Sequence, residues 1–273
     1  MRLLFSNSLF IFLFIFVVGF LPQVSQAEDM PEELIELQEK EAEGEFDSEE
    51  FSLEIRKEAQ KEAALSYGAR GGLSKRIYEI RQDLKKQARV MDKIYDFKRL
   101  LIKAPSGLLI EPPTISEGEN NLIISADGQE AAVASRIFNI NDPARIVTSP
   151  RNWRSYLERE WEEVPPPPDI LLPQNAEERR NWRRWVKKGW KEGYQQAEEI
   201  FQTDIDRLQA DFTGMVRYRI LLAQGMVSQP YALSEDFGIT GGGSEMRVGD
   251  RAVTITGPSQ LKPGAEQWQP ADR

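Results

Sequence analysis

Cysteine and histidine are both missing from the 273 residues. Without cysteine there is no thiol chemistry, no disulfide and no thiolate metal site. Without histidine there is no imidazole acid–base catalysis, and zinc sites of the usual kinds are excluded. An enzyme built on this chain would have to run on carboxylates, lysine, tyrosine or serine. Long apolar runs are also scarce. The longest, "LFIFLFIFVVGFL" from Leu9 to Leu21, covers thirteen positions, short of the roughly 20 that a spanning helix needs.

That run reads as the apolar part of a secretory signal. Arg2 precedes it, and "PQVSQA" follows, with small Ser25 and Ala27 placed before Glu28. The pattern predicts a signal peptide over 1–27, cut between Ala27 and Glu28, and an exported mature chain. An uncleaved anchor is the alternative. Excess basic charge is lacking too. The formal net charge is −9, and twelve of the 44 acidic residues fall in residues 28–50 beside one lysine. From Phe51 onward 33 basic residues (35 less Arg2 and Lys40) face 32 acidic ones. Residues 28–50 thus read as an acidic flexible tail, with room for a short helix at "PEELIELQEK". The body is near neutral, and direct nucleic-acid binding is not expected.

The pattern from 51 to 258 predicts an α+β fold: an α-rich single domain with two long amphipathic helical regions and short β-hairpins. The first helical region starts at Phe51, breaks at the glycines of "YGARGG" (Tyr67–Gly72), and resumes from Leu73 to Ile102 with a stripe through Ile77, Ile80, Leu84, Met91, Ile94, Tyr95 and Leu101. "APSGLLIEPPTISEGENN" reads as a Pro/Gly-rich connection. Asp127-Gly128 between two apolar runs signals a hairpin, "ARIVT" a short strand, and "NWRSYLEREWEEV" a short helix that "PPPP" stops.

Asn175 with Glu178 three residues on forms a capping-box signature. From there helical periodicity runs to about Val227, with Gly189, Gly193, Gly214 and Gly225 as candidate kinks. "EMRVGDRAVTI" reads as a half-buried hairpin turning at Gly249-Asp250, with Met246, Val248, Val253 and Ile255 on its buried face and Glu245, Arg247 and Thr254 on the other. Residues 259–273 read as a flexible C-terminal tail.

Catalytic patterns are weak. "GITGGGSE" has the glycines of a phosphate loop but no lysine, and "YGARGG" follows no strand, so both read as turns. Ser259 and Lys262 match S-x-x-K by chance, in a Pro/Gly-rich tail where a rigid buried dyad has no support. No catalytic, cofactor-binding or metal residue is assigned.

The densest pattern is "NWRRWVKKGWKEGYQQAEEIF", Asn181 to Phe201. At 3.6 residues per turn, Trp182, Trp185, Trp190 and Tyr194 fall on one side, flanking Gly189, Gly193 and Ala197. Arg180, Arg184, Lys187, Lys188 and Lys191 fall on the other, and only Arg183 enters the aromatic sector. A single-strand nucleic-acid grip interleaves aromatics with cations. Segregation instead suits a core face beside a solvated one, with a small-residue strip for close packing. Those seven residues are therefore candidates for helix packing or an interface. Surface membrane contact and nucleic-acid binding remain the alternatives.

"ALSYGARGGLSKRIYEI", "YDFKRLLI", "PRNWRSYL", "PPPPDILLP", "WRRWVKKGWKEGYQQAEEIF", "DFTGMVRYRILLAQGMVSQP" and "GITGGGSEMRVGDRAVTIT" together resemble the DotC family of Dot/Icm-type (type IVB) secretion and related conjugation systems. The blocks occur in the same order from about Ala64 to Thr256. The resemblance implies a non-catalytic subunit of the outer-membrane core complex. It implies a periplasmic position, DotD-like and DotH-like partners, and a multimeric ring assembly. Family members carry a lipobox cysteine and this chain has none, so the outer membrane would be reached through partners. The alternative function is a soluble exported cell-wall lytic enzyme that works with carboxylates.

Overall fold

A computed structural model describes residues 32–40, 53–104, 107–124, 131–160, 162–264, 266 and 268. The signal segment with Ala27 and Glu28 lies outside them. The fold is α+β. In chain order come α1 (Glu32–Glu39), α2 (Leu53–Ile94), β1 (Ile102–Lys103), β2 (Leu109–Glu111), β3 (Thr114–Ile124), β4 (Ala131–Asp142) and β5 (Arg145–Val147). Then follow α3 (Arg154–Leu157), α4 (Ala176–Ala223), β6 (Tyr231–Gly242) and β7 (Glu245–Gly257). All sheets are antiparallel: β1-β2-β5, the ribbon β3-β4 and the ribbon β6-β7.

The chain divides into two units, Met1–Gly71 with Pro166–Trp190, and Gly72–Pro165 with Lys191–Arg273. The boundary falls inside α2 and inside α4.

In the first unit α2 does not break at "YGARGG". It is helical through Tyr67–Gly72, because the glycines there serve packing rather than a turn, as described below. Helix α4 starts where the capping signature places it. Asn175 Oδ1 accepts hydrogen bonds from the backbone N–H of Glu177 (3.1 Å) and Glu178 (2.9 Å). Glu178 reaches back to the N–H of Gln174 at 2.8 Å, satisfying donors the helix cannot. Helix α1 also belongs here. It buries Leu34 and Leu37, so residues 32–39 of the acidic segment are a docked helix rather than free tail.

In the second unit Ile80, Leu84, Phe97, Trp153, Leu157, Leu208 and Met215 form the main core cluster. Trp153 is 1 % exposed, and its indole N–H donates to Asp92 Oδ1 at 2.8 Å. A second cluster joins Ile115, Tyr218, Leu221, Leu222 and Val227. Helix α4 runs through Gly189, Gly193 and Gly214 without interruption. Gly214 is a close approach: an added Cβ would sit 3.1 Å from the backbone N of Ile115. Gly225 caps the helix at φ 75. Its N–H bonds Leu222 O at 3.0 Å and that of Met226 bonds Leu221 O at 2.9 Å, a Schellman ending that stops the helix short of Val227.

The stretch expected as a Pro/Gly connection holds β2 and the start of β3. Its Pro112-Pro113 step separates two strands that belong to different sheets. The β3–β4 register, Leu122↔Val133 and Ile124↔Ala131, centres on Asp127-Gly128, although those two residues lie outside the described set. The β6–β7 ribbon corrects the predicted turn. It turns at Gly243-Ser244, next to the Gly242↔Glu245 pair. Gly249 instead lies in a bulge opposite Gly238, both at positive φ (72 and 69). A 12-residue arm against a 13-residue arm satisfies far more backbone groups than the short hairpin expected. The C-terminal tail is also shorter than expected. Lys262 N bonds Met226 O, Ser228 N bonds Gln260 O (2.9 Å each), and Leu261 packs on the second cluster.

Candidate functional site

The aromatic face of α4 is buried. Trp182 is fully covered, Trp185 and Trp190 nearly so, and Val186 completely. In the first unit this face meets α2 through bare backbone. An added Cβ at Gly189 would overlap the Leu65 carbonyl oxygen and stand 3.0 Å from the backbone N of Ala69. Reciprocally, an added Cβ at Gly68 would overlap the Val186 carbonyl oxygen and stand 3.0 Å from the backbone N of Trp190. The two helices therefore touch main chain to main chain, which only glycine permits. Gly71 fits against the Trp190 ring and the Leu37 side chain.

Helix α1 closes this arrangement with two polar contacts. The Trp182 indole N–H donates to Leu37 O (3.2 Å), and Gln38 Nε2 donates to Arg183 O (3.1 Å). So Trp182, Gly189 and Trp190 come together where α4 meets α2 and α1, and Trp185 is buried on the same helix. Gly193 and Ala197 are buried in the second unit, where Tyr194 is half-buried. Tyr194 donates to Glu79 Oε2 at 2.8 Å, and Arg76 lies over its ring at 5.4 Å. Burial, reinforced by the bond to Glu79, raises the Tyr194 phenol to about 12. On the opposite face Lys187 and Lys188 are exposed.

Gly68 and Gly71 were missed in sequence, but their signal was present. Ala64, Gly68 and Gly71 recur at helical spacing, as Gly189, Gly193 and Ala197 do, and Ala64 is fully buried.

A second polar constellation had no sequence signal, because its carboxylates lie far from their arginines: Glu111 is 34 and 40 residues from Arg145 and Arg151, and Asp211 is 60 from Arg151. Glu111, its side chain 3 % exposed, accepts from Arg145 Nε at 2.7 Å and from Arg151 Nη2 at 2.7 Å. Arg151 also binds Asp211 and donates to Tyr156 Oη at 2.9 Å, and Tyr156 donates to Asp211 at 2.7 Å. Burial opposes the Arg151 charge, but its bonds to Glu111 and Tyr156 outweigh that and raise its pKa. Burial first, then the bond to Asp211, lifts the Tyr156 phenol to about 12. Arg145, Arg151, Tyr156 and Asp211 line a polar cleft of about 660 Å³. All four of its carboxylates are engaged: Asp142 by Thr114, Glu158 by Arg154, Asp204 by Arg159 and Asp211 by Arg151. The network ties β2 and β5 to α4 within the second unit.

The third feature is apolar surface left in water. Ile239, Met246 and Val248 on the β6–β7 ribbon are 67 %, 72 % and 71 % exposed. Met246 and Val248 were expected on a buried face. The bulge at Gly238/Gly249 and the shifted turn carry them out along the ribbon, where no described residue covers them.

Among the described residues no helix is long and apolar enough to cross a membrane. A family model described as type IV secretory system, conjugal DNA-protein transfer, matches residues 54–270. No curated protein matches the chain.

Proposed function

The chain belongs to the type IV secretory system, conjugal DNA-protein transfer family, and on that premise we propose that it is a structural subunit of the system's outer-membrane core complex, of DotC type. It is exported to the periplasm and acts through surfaces rather than through catalysis. Its DotD-like and DotH-like partners hold it at the outer membrane, since no cysteine is present to carry an acyl chain.

The observation that carries this reading is the family match, which spans both units and both long helices. The side chains support it. The buried charges pair with one another, the tryptophan face packs helices, and one ribbon presents apolar residues to solvent. These are features of a part that fits other parts.

Cell fractionation tests the anchoring. In cells lacking the other core subunits, the protein should wash out with soluble periplasmic material, and restoring those subunits should return it to the outer-membrane fraction. Retention at the outer membrane without partners would overturn the anchoring proposal. A strain deleted for the gene should lose substrate transfer while its cell wall stays intact.

A further inference from the structure

The polar cleft of the second unit holds an arginine that its own neighbours leave unpaired. Arg207 stands on α4 between Asp204 and Asp211, one helical turn from each, and all three line the cleft. Carboxylates at such spacings are the ordinary partners of a helical arginine. Both are occupied from elsewhere. Arg159 forks onto Asp204 through Nε (2.8 Å) and Nη2 (3.0 Å), and Asp211 accepts from Arg151 and Tyr156. Arg207 is exposed and has no ion pair or hydrogen bond among the described residues. Arg145 on β5 bonds Glu111 through Nε alone. Both of its Nη groups are therefore also without an acceptor among the described residues.

We infer that this cleft binds a peptide carboxylate, with the guanidinium groups of Arg207 and Arg145 as its donors. The space is of ligand size. Its volume of about 660 Å³ lies within the roughly 300–1,000 Å³ of small-ligand sites. The groups left open are donors. All four lining carboxylates already accept bonds, and among the described residues no cluster of them is placed to hold a metal ion. An open guanidinium presents parallel N–H groups, which a carboxylate accepts in pairs.

The charge balance decides which anion. Four arginines and four carboxylates line the cleft, so no positive field gathers there. A phosphate dianion or a nucleic-acid backbone would meet repulsion as well as attraction. A single carboxylate asks for one fork only, and it fills a small part of the volume. The rest of the wall offers donors and acceptors together. Ser155 brings a hydroxyl. Asp142 accepts from Thr114 at Oδ2 (2.9 Å), and its Oδ1 has no donor among the described residues. Such a wall suits the N–H and C=O groups of a peptide backbone. The carboxylate comes from an acidic side chain or from a chain end. The inference names no subunit and does not depend on the outer-membrane role.

Titration of the purified chain, followed by the nuclear magnetic resonance of its arginine Nε–H groups, tests the site. Three probes separate the chemistries. Acetyl-Gly-Asp-Gly-amide carries only a side-chain carboxylate, acetyl-Gly-Gly-Gly carries only a terminal one, and inorganic phosphate carries neither. At least one of the two peptides should shift the Arg207 and Arg145 signals saturably, and the one that does identifies the source of the carboxylate. Acetyl-Gly-Asn-Gly-amide, which has no carboxylate, should not. Arg207→Gln should weaken peptide binding by about tenfold or more, as loss of a charged hydrogen-bond partner does, with its helical circular dichroism unchanged. Arg219→Gln, at an exposed position of α4 outside the cleft, should leave binding as it was. The absence of any saturable shift at millimolar peptide would overturn the inference. So would equal binding by the Arg207→Gln chain, equal binding of the Asn peptide, or phosphate binding more tightly than either carboxylate peptide.

Discussion

Replacing Gly189 with alanine adds a single methyl group and sets two effects of opposite sign against each other. In a helix interior alanine is favoured over glycine by about 0.8–1 kcal/mol, so propensity alone predicts a more stable protein. The crossing predicts the reverse. The new Cβ would overlap the Leu65 carbonyl oxygen and lie 2.9 Å from the Leu65 carbonyl carbon and 3.0 Å from the Ala69 nitrogen. All of these are backbone atoms of a helix, so no rotamer change relieves the contact. Ordinary carbon contacts lie at roughly 3.5–4.0 Å, so the helices must part by about 1 Å at this point. That separation loosens the packing of Trp182, Val186 and Trp190, which are now almost wholly covered. Overpacking of this kind costs about 1–3 kcal/mol, and here the obstacle is rigid, so the upper part of the range applies. After the propensity gain the net loss should be about 1–2 kcal/mol. For a chain of this size that lowers Tm by about 2–8 °C.

Thermal and urea unfolding followed by circular dichroism measure the loss. Lys187→Ala, on the exposed face of the same helix, should change stability by less than about 0.5 kcal/mol. Gly68→Ala should behave like Gly189→Ala, and the double variant should cost clearly less than the sum, because one displacement accommodates both methyl groups. A Gly189→Ala protein with a raised Tm would show that the crossing is open and that the reasoning fails.

Two further outcomes come from the charged network. Glu111→Ala should destabilise by about 1.5–3 kcal/mol, because it removes a buried charged hydrogen-bond partner while Arg151 keeps Asp211 and Tyr156; Arg145→Ala, whose side chain is 56 % exposed, should cost under about 1 kcal/mol, and urea unfolding of both variants checks the contrast. The Tyr156 phenol is raised to about 12 in the folded state, above an unfolded value near 10. The stability it contributes is therefore complete below about pH 10 and is lost as pH rises toward about 12. Tyr156→Phe should flatten that alkaline loss and remove a late-titrating phenol from the ultraviolet absorbance titration.

Periodic features were legible in sequence. The stripe of α2 from Leu73 to Ile94 and the cap at Asn175 each depend on spacing along one helix, which sequence displays directly; the expected run of that stripe on to Ile102 fails because the helix ends at Ile94. "YGARGG" misled because glycine ends helices as well as packing them; what separates the two roles is the partner backbone of Val186 and Trp190, which is distant in sequence. The ribbon turn was misplaced for a related reason. Gly243 and Gly249 both supply positive φ, and only the full length of pairing with Tyr231–Gly242 decides which one turns the chain. For Glu111, Arg151 and Asp211 there was nothing to read, since an arginine looks the same in sequence whether it is solvated or trapped between two carboxylates.

The crossing of Gly68 and Gly189 has a consequence for mutational tolerance. What excludes a side chain at each glycine is the main chain of the opposite helix, and every L-residue brings the same main chain. Exchanging Leu65 or Val186 for another amino acid therefore leaves the obstacle where it was. No second-site change of side chain can rescue a substitution at either glycine; only a shift of one helix axis can. The two positions thus form a pair without a compensating vocabulary. Their neighbours are free to drift in identity as long as they fill the space, while the glycines themselves have no alternative spelling.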